Sequence, residues 1–168
     1  MHSHKIKSLA LAVREIALIA GKEILKIYES DFSIKQKYDK SPVTSADETA
    51  EKIILEQLSM LEPRLPVLAE ESFSRGNIPN IAGGPFWAVD PLDGTKEFIN
   101  KNGEFTVNIA LIENHKPIAG VVHAPALNNL YLALGPNTVT EEINGQKPKK
   151  IKANTVNENN LIVVASRS

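Results

Sequence analysis

Cysteine is absent from this sequence of 168 residues, and neither sign of charge dominates it. Without cysteine the chain can form no disulfide, no zinc–thiolate site and no cysteine nucleophile. The 19 lysine and arginine residues are balanced by 20 aspartate and glutamate residues, for a formal net charge of -1. This balance argues against a nucleic-acid partner held by bulk positive charge.

Long apolar runs are also missing. The most apolar segment near the start, residues 9–13, is followed directly by Arg14 and Glu15, whereas a membrane span needs about 20 apolar residues. The same interruption argues against a signal peptide. We therefore expect a soluble, cytoplasmic protein without a transmembrane segment, and peripheral contact with the inner membrane is left open.

Hydrophobic periodicity predicts two long helices near the start of the chain. Apolar residues recur every three or four positions from Ile6 to Ile27, which is the period of an amphipathic helix. A second helix is predicted from Ser45, because Ser45 and Glu48 have the spacing of a capping box, and it should end before Pro63.

Short strands are predicted over most of the remaining chain. Their ranges are 65–69, 86–90, 105–111, 117–124, 130–134, 149–153 and 161–165, and Asn144-Gly145 predicts a hairpin turn. Residues 33–43 form a polar stretch with a turn signal at Ser41-Pro42. This order predicts an α+β fold in which the two long helices pack on a mainly antiparallel sheet.

Carboxylates stand where two of these strands end. Glu70 follows one strand, Asp90 closes the other, and Asp93 comes three residues later. Several carboxylates without cysteine or paired histidine favour a hard cation such as Mg²⁺, Mn²⁺ or Ca²⁺. An alternative stays open, namely that Asp90 and Asp93 are ordinary turn carboxylates, since aspartate is common in turns.

The residues after Asp90 predict a tight turn into a short helix. Pro91 restricts the backbone, and Gly94 permits a sharp turn. Thr95 is predicted to open the helix, whose first N–H groups would face an anion.

Three segments occur together here: Ser41-Pro-Val-Thr-Ser-Ala-Asp47, Glu70-Glu-Ser72 and Asp90-Pro-Leu-Asp-Gly-Thr95. This combination resembles the inositol monophosphatase superfamily of Mg²⁺-dependent phosphatases. Within it, Gly94-Thr-Lys-Glu-Phe-Ile99 and the segment 102–111 most resemble the bacterial CysQ-type branch, the 3′(2′),5′-bisphosphate nucleotidases. The resemblance extends from the first helix to the end of the sequence.

The resemblance implies both a fold and an activity. The fold is the layered αβαβα sandwich of the inositol monophosphatase and fructose-1,6-bisphosphatase type, with a metal-binding α+β domain at 1–155 and the first strand of a C-terminal α/β domain at 156–168. The activity is hydrolysis of the 3′-phosphate of adenosine 3′,5′-bisphosphate, and of 3′-phosphoadenylyl sulfate as a second substrate, in sulfur assimilation and nucleotide recycling. Inositol monophosphatase activity is the alternative within the same enzyme class.

The resemblance also implies the roles of individual residues. Glu70, Asp90, Asp93 and the carbonyl oxygen of Leu92 would bind Mg²⁺, with two or three ions in a complete family site. Glu70 is also expected to be catalytic, together with the residues of the proton-transfer pair, Asp47 and Thr95. The phosphate of a small phosphorylated nucleotide would be bound by Glu70, Leu92, Asp93, Gly94 and Thr95.

One family feature is missing from the sequence. Members of the family carry a later Trp-Asp motif whose aspartate completes the second metal site, yet no tryptophan follows Phe98 and no aspartate follows Asp93. We therefore expect a C-terminally truncated chain that self-associates through exposed apolar surface. A catalytically impaired fragment with a partial metal site is the alternative to an active enzyme.

Overall fold

The computed structural model describes residues 1–36, 42–135 and 137–153. Its helices are α1 (Ser3–Tyr28), α2 (Ser45–Ser59), α3 (Glu70–Ser74) and α4 (Thr95–Ile99). Its strands are β1 (Ile34–Gln36), β2 (Pro42–Thr44), β3 (Val67–Ala69), β4 (Phe86–Asp93), β5 (Thr106–Glu113), β6 (Lys116–Ala124), β7 (Asn129–Ala133), β8 (Val139–Ile143) and β9 (Lys149–Lys150).

Both long helices lie where the periodicity predicts them. Helix α1 buries the predicted apolar stripe, from Leu9 to Ile24. Helix α2 begins at Ser45, but its cap is Thr44 rather than Ser45, and Asp47 rather than Glu48 completes the capping box. The predicted pairing was wrong by one residue because Thr44, at the end of β2, already has the extended backbone that a cap requires.

A seven-stranded sheet forms the centre of the structure, in the order β3-β4-β5-β6-β7-β8-β9. Only β3 and β4 are parallel, and every other neighbouring pair is antiparallel. The mainly antiparallel sheet is therefore as predicted. The Asn144-Gly145 hairpin lies between β8 and β9, with both residues at positive φ (52° and 67°).

Some strands differ from the prediction. The polar stretch 33–43 contributes β1 and β2, and β8 was not predicted because Thr140, Glu141 and Glu142 give it no apolar alternation. Strand β4 continues to Asp93, three residues beyond its predicted end. The predicted strand 161–165 and the domain boundary after residue 155 lie outside the described residues.

The core lies between the two long helices and one face of the sheet. On that face the side chains alternate as a half-buried strand requires, with Val107, Ile109 and Leu111 of β5 all buried. The opposite face carries small side chains together with Val122, Tyr131 and Val139 around a depression of about 550 Å³. None of the described helices meets the length and hydropathy needed to cross a membrane.

Self-association through this open face stays a prediction. Val122, in the centre of the face, keeps 41% of its surface exposed. The small residues Gly120 and Ala133 beside it would allow a second copy of the chain to approach the sheet closely. We expect light scattering of the purified chain to give a mass above the 18.4 kDa monomer. A strictly monomeric sample across a concentration series would contradict this expectation.

A close contact between α1 and β6 gives a test of the packing. A Cβ atom added at Gly21 would lie 2.6 Å from two ring atoms of the buried His123. The ring has little freedom to move, because its Nδ1 atom lies 3.2 Å from the carbonyl oxygen of Asn129. Alanine in a helix normally stabilises by about 1 kcal/mol over glycine, but the overlap at this site should outweigh that gain.

We therefore expect Gly21→Ala to lower the stability by about 1–3 kcal/mol, which corresponds to roughly 2–4 °C in Tm for each kcal/mol. Gly84→Ala is the matched control, because no atom lies within 4 Å of its added Cβ. Thermal unfolding followed by circular dichroism measures both variants. A higher Tm for Gly21→Ala than for the parent chain would show that the contact is wrong.

Candidate active site

Parallel pairing of β3 and β4 brings two carboxylates together. Ala69 lies opposite Val89 in this register, so the next residues along the two strands, Glu70 and Asp90, become neighbours at one edge of the sheet. Adjacent strands are only about 4.8 Å apart. Glu70 and Asp90 are 20 positions apart in the sequence, and the parallel pairing of β3 and β4 brings them together.

The environment of Asp90 opposes its ionisation. Burial, the charge and hydrogen bond of Glu70, and the charge of Asp93 together raise the pKa of Asp90 to about 8. A hydrogen bond from the backbone N–H of Leu92, at 3.2 Å, acts in the other direction. A positive charge at this position would relieve the repulsion among the carboxylates.

A β-bulge brings Asp93 to the same face of the sheet as Asp90. Residues three apart in a regular strand point to opposite faces. Here Asp90 pairs with Asn108 and Asp93 pairs with Thr106, so β4 holds one extra residue between them. The amide of Asn108, the residue opposite Asp90, donates to the Asp93 carboxylate at 3.2 Å. This hydrogen bond confirms that Asp93 lies on the same face as Asp90.

The turn after β4 connects this carboxylate group to Thr95. Gly94 has φ +91°, and an added Cβ would lie 2.9 Å from the carbonyl oxygen of Glu104, so the turn needs glycine. The Thr95 hydroxyl lies 3.3 Å from the carbonyl oxygen of Leu92. Leu92 thus contacts Asp90 through its N–H and Thr95 through its carbonyl oxygen.

Asp47 meets Thr95 from helix α2. The Thr95 hydroxyl lies 3.2 Å from Oδ1 of Asp47, in position to donate to it. The other carboxylate oxygen of Asp47 accepts from the N–H and hydroxyl of Thr44, at 2.7 and 2.6 Å. Burial raises the pKa of Asp47, although these hydrogen bonds oppose the shift. The buried carboxylate is thereby a better proton acceptor than an exposed aspartate.

A cleft of about 410 Å³ lies beside the carboxylate pair, on the open face of the sheet. Its lining is mostly apolar, with Glu70, Asp90 and Asn108 as the polar groups and the half-exposed ring of Phe73 at one side. No pattern in the sequence marks Asn108 or Phe73 as a site residue, because their place beside Asp90 depends on strand register and on the start of α3.

Comparison with known proteins decides the family. Residues 6–168 match the family model described as the inositol monophosphatase family. The chain belongs to that family. The resemblance seen in the sequence is therefore confirmed, and the family consists of phosphatases that are generally metal-dependent.

Curated relatives in the family are named 3′(2′),5′-bisphosphate nucleotidase CysQ. The proteins of Salmonella typhimurium and Escherichia coli K12 are 44% and 43% identical to this chain over 142 residues. Each alignment covers 83% of this chain and 57% of the relative. The chain thus spans little more than half the length of the relatives it matches.

Solved structures confirm the predicted α+β fold class. CysQ from Bacteroides thetaiotaomicron superposes with a TM-score of 0.65 at 40% identity, covering 82% of this chain and 49% of that one. SuhB from Bartonella henselae gives a TM-score of 0.70 at 30% identity, covering 82% and 52%. The layered arrangement of helices and sheet is shared with both.

The donor set of this inositol monophosphatase family member fits a hard cation. No group of three or more acidic or histidine side chains among residues 1–36, 42–135 and 137–153 is close enough to form a metal cluster by itself. Glu70 and Asp90 do meet, and the charge of Asp93 also acts on Asp90. Mg²⁺ in proteins uses one or two carboxylates with waters and substrate phosphate, so the set suits it.

The pKa of Asp90 gives a test that needs no catalysis. The folded state holds a proton on Asp90 up to about pH 8, whereas the unfolded state releases it near pH 3.9. Stability therefore falls as the pH rises between these values, because the unfolded state binds fewer protons. Asp90→Asn removes this titratable group and should abolish the part of the pH dependence of stability that comes from Asp90.

In EDTA we expect the Tm of Asp90→Asn to equal that of the parent chain near pH 4 and to exceed it at pH 9. The gain should be about 1–3 kcal/mol after solvent screening of a half-buried pair, or roughly 2–4 °C for each kcal/mol. Asp31→Asn, at an exposed aspartate, is the control. A Tm difference that is independent of pH would refute the assigned repulsion.

Proposed function

We propose that this chain carries the catalytic carboxylates of a bisphosphate nucleotidase, which hydrolyses the 3′-phosphate of adenosine 3′,5′-bisphosphate to AMP and phosphate. The observation that carries the proposal is the connection from Asp47 through Thr95 and Leu92 to the Asp90–Glu70 pair. It places a proton-accepting pair beside a group of carboxylates that suits a cation. The names of the most similar relatives support the substrate.

Mg²⁺ is the proposed cofactor. Glu70, Asp90, Asp93 and the Leu92 carbonyl oxygen would hold it. When bound, the ion would supply a Lewis acid that polarises the phosphate and lowers the pKa of a water molecule. The remaining chemistry belongs to the side chains around it.

Thr95 and Asp47 are proposed to accept the proton of the attacking water. The Thr95 hydroxyl donates to Asp47, so its oxygen lone pairs are available to accept a hydrogen bond from a water molecule. Threonine alone is a poor base, and the buried Asp47 carboxylate, with its raised pKa, takes up the proton that Thr95 passes on. The water oxygen bonds to phosphorus and the bond to the 3′ oxygen breaks. The 3′ oxygen takes a proton from a second water molecule and leaves as the ribose hydroxyl, and Asp47 returns its proton to solvent.

Substrate contacts are proposed for the turn after β4. Leu92, Asp93, Gly94 and Thr95 would lie against the phosphate, and Glu70 would reach it through the cation. The bisphosphate nucleotide or 3′-phosphoadenylyl sulfate would place the reaction in sulfur assimilation and nucleotide recycling. An inositol monophosphatase from Anabaena superposes at 29% identity with a TM-score of 0.64, so inositol phosphate is the second candidate substrate.

Phosphate release by the purified chain in Mg²⁺ tests the proposal. We expect a higher kcat/KM for adenosine 3′,5′-bisphosphate than for inositol 1-phosphate. The reverse order would favour the inositol phosphatase alternative. A folded chain that binds Mg²⁺ but hydrolyses neither substrate would establish the impaired fragment and refute the activity for this chain.

Thr95→Ala should lower kcat by about 10²–10⁴-fold, because it removes the group that accepts the proton from water. Thr138→Ala is the matched control: its hydroxyl also lies within hydrogen-bond distance of a carbonyl oxygen three residues earlier, that of Gly135, but in the turn between β7 and β8. The control should keep the activity of the parent chain. Equal activity of both variants would show that Thr95 has no part in the reaction.

A further inference from the structure

Helix α2 carries a second buried carboxylate one turn after Asp47. Glu51 lies four residues further on and therefore on the same side of the helix. Both residues are only 1% exposed. Asp47 contacts Thr95, at the start of α4, whereas Glu51 contacts the short helix α3.

Three hydrogen bonds to the carboxylate of Glu51 come from a single short segment. Its Oε2 accepts from the backbone N–H of Glu71 at 2.7 Å, and its Oε1 accepts from the Ser72 hydroxyl at 2.7 Å. The guanidinium of Arg75, the residue after α3, lies 3.1 Å from Oε1. The burial of this charge is compensated by three donors that lie 20–24 positions away in the sequence.

These contacts determine where α3 begins. The first N–H groups of a helix have no partner within the helix, and the residue at the cap position, Ala69, makes no side-chain cap. Glu51 supplies the missing acceptor from another element. A helix of five residues is far too short to be stable alone, so its position depends on such outside contacts.

Glu70 is the first residue of α3 and directly precedes the bonded N–H of Glu71. We propose that Glu51 is a positioning residue, which fixes the start of α3 so that the Glu70 carboxylate faces Asp90 and the pair can bind a divalent cation. This inference rests on the cation site of the proposed function. Helix α2 then positions the proton-transfer pair through Asp47 and the cation-binding pair through Glu51.

Cation affinity is the readout that separates positioning from stability. Mn²⁺ binding to the purified chain can be measured by electron paramagnetic resonance, with Mg²⁺ as competitor, at a temperature well below the Tm of every variant. Glu51→Gln keeps the size of the side chain but puts an NH₂ donor against the donors of α3. We expect it to weaken Mn²⁺ binding about 10-fold or more.

Glu142→Gln is the matched control. Glu142 is also a buried glutamate, 5% exposed, and accepts from Nε of Arg14 at 2.8 Å. It lies in β8, four strands away from β4 in the sheet. We expect Glu142→Gln to lower the Tm and to leave the Mn²⁺ affinity within about twofold of the parent chain.

Ser72→Ala provides a milder variant that retains the Glu51 carboxylate. It removes one of the donors and leaves the bond to the N–H of Glu71, so we expect a smaller loss of affinity than for Glu51→Gln. If Glu51→Gln does not fold, this variant decides, and an unchanged affinity overturns the proposal.

The failures of the two proposals can be told apart. If the parent chain binds Mn²⁺ and a folded Glu51→Gln binds it equally well, Glu51 does not position the site, although the proposed function survives. If the parent chain itself binds no Mn²⁺ in the millimolar range, the cation site is wrong and the role of Glu51 falls with it. If Glu51→Gln and Glu142→Gln lose the same amount of Mn²⁺ affinity, the loss reflects lower stability rather than positioning, and this result also overturns the proposal.

Discussion

The parallel pairing of β3 and β4 is the constraint on which the candidate site depends. This pairing places Glu70, directly after β3, side by side with Asp90 of β4, although the two charges repel. Buried apolar side chains on both sides of the junction, including Ala69 and Trp87, hold the register. The hydrophobic core thus stabilises an arrangement that the carboxylates alone would not adopt, and a cation is the natural complement to it.

Helix α2 adds a second level of organisation. Buried carboxylates are costly unless hydrogen bonds compensate them, and the donors to Asp47 and Glu51 come from different elements. Thr44 and Thr95 compensate Asp47, whereas the start of α3 compensates Glu51. Each compensation fixes the position of a short helix that could not form alone. The same contacts therefore compensate the buried charges and position the site residues.

The parts of this arrangement that depend on local sequence could be predicted. The period of α1, the alternation in β5, the end of β3 before Glu70 and the turn at Gly94 all show in the order of residues. Glu51 could not be predicted in this way, because a glutamate within an amphipathic helix usually faces solvent and its partners lie beyond residue 70. The bulge that brings Asp93 beside Asp90 depends in turn on the pairing with β5.

Cation binding and substrate choice depend on different parts of the proposed site. The residues proposed for proton transfer and cation binding lie between Asp47 and Thr95, on elements packed against the hydrophobic core. The cleft beside them opens onto the sheet face that no described helix covers. Cation affinity depends on the first set, whereas discrimination between a nucleotide and an inositol phosphate requires contacts to the rest of the substrate. Apart from the carboxylates, the described residues that line the cleft are Phe73, Asn108 and aliphatic residues, so cation binding should be less dependent than substrate choice on any further surface.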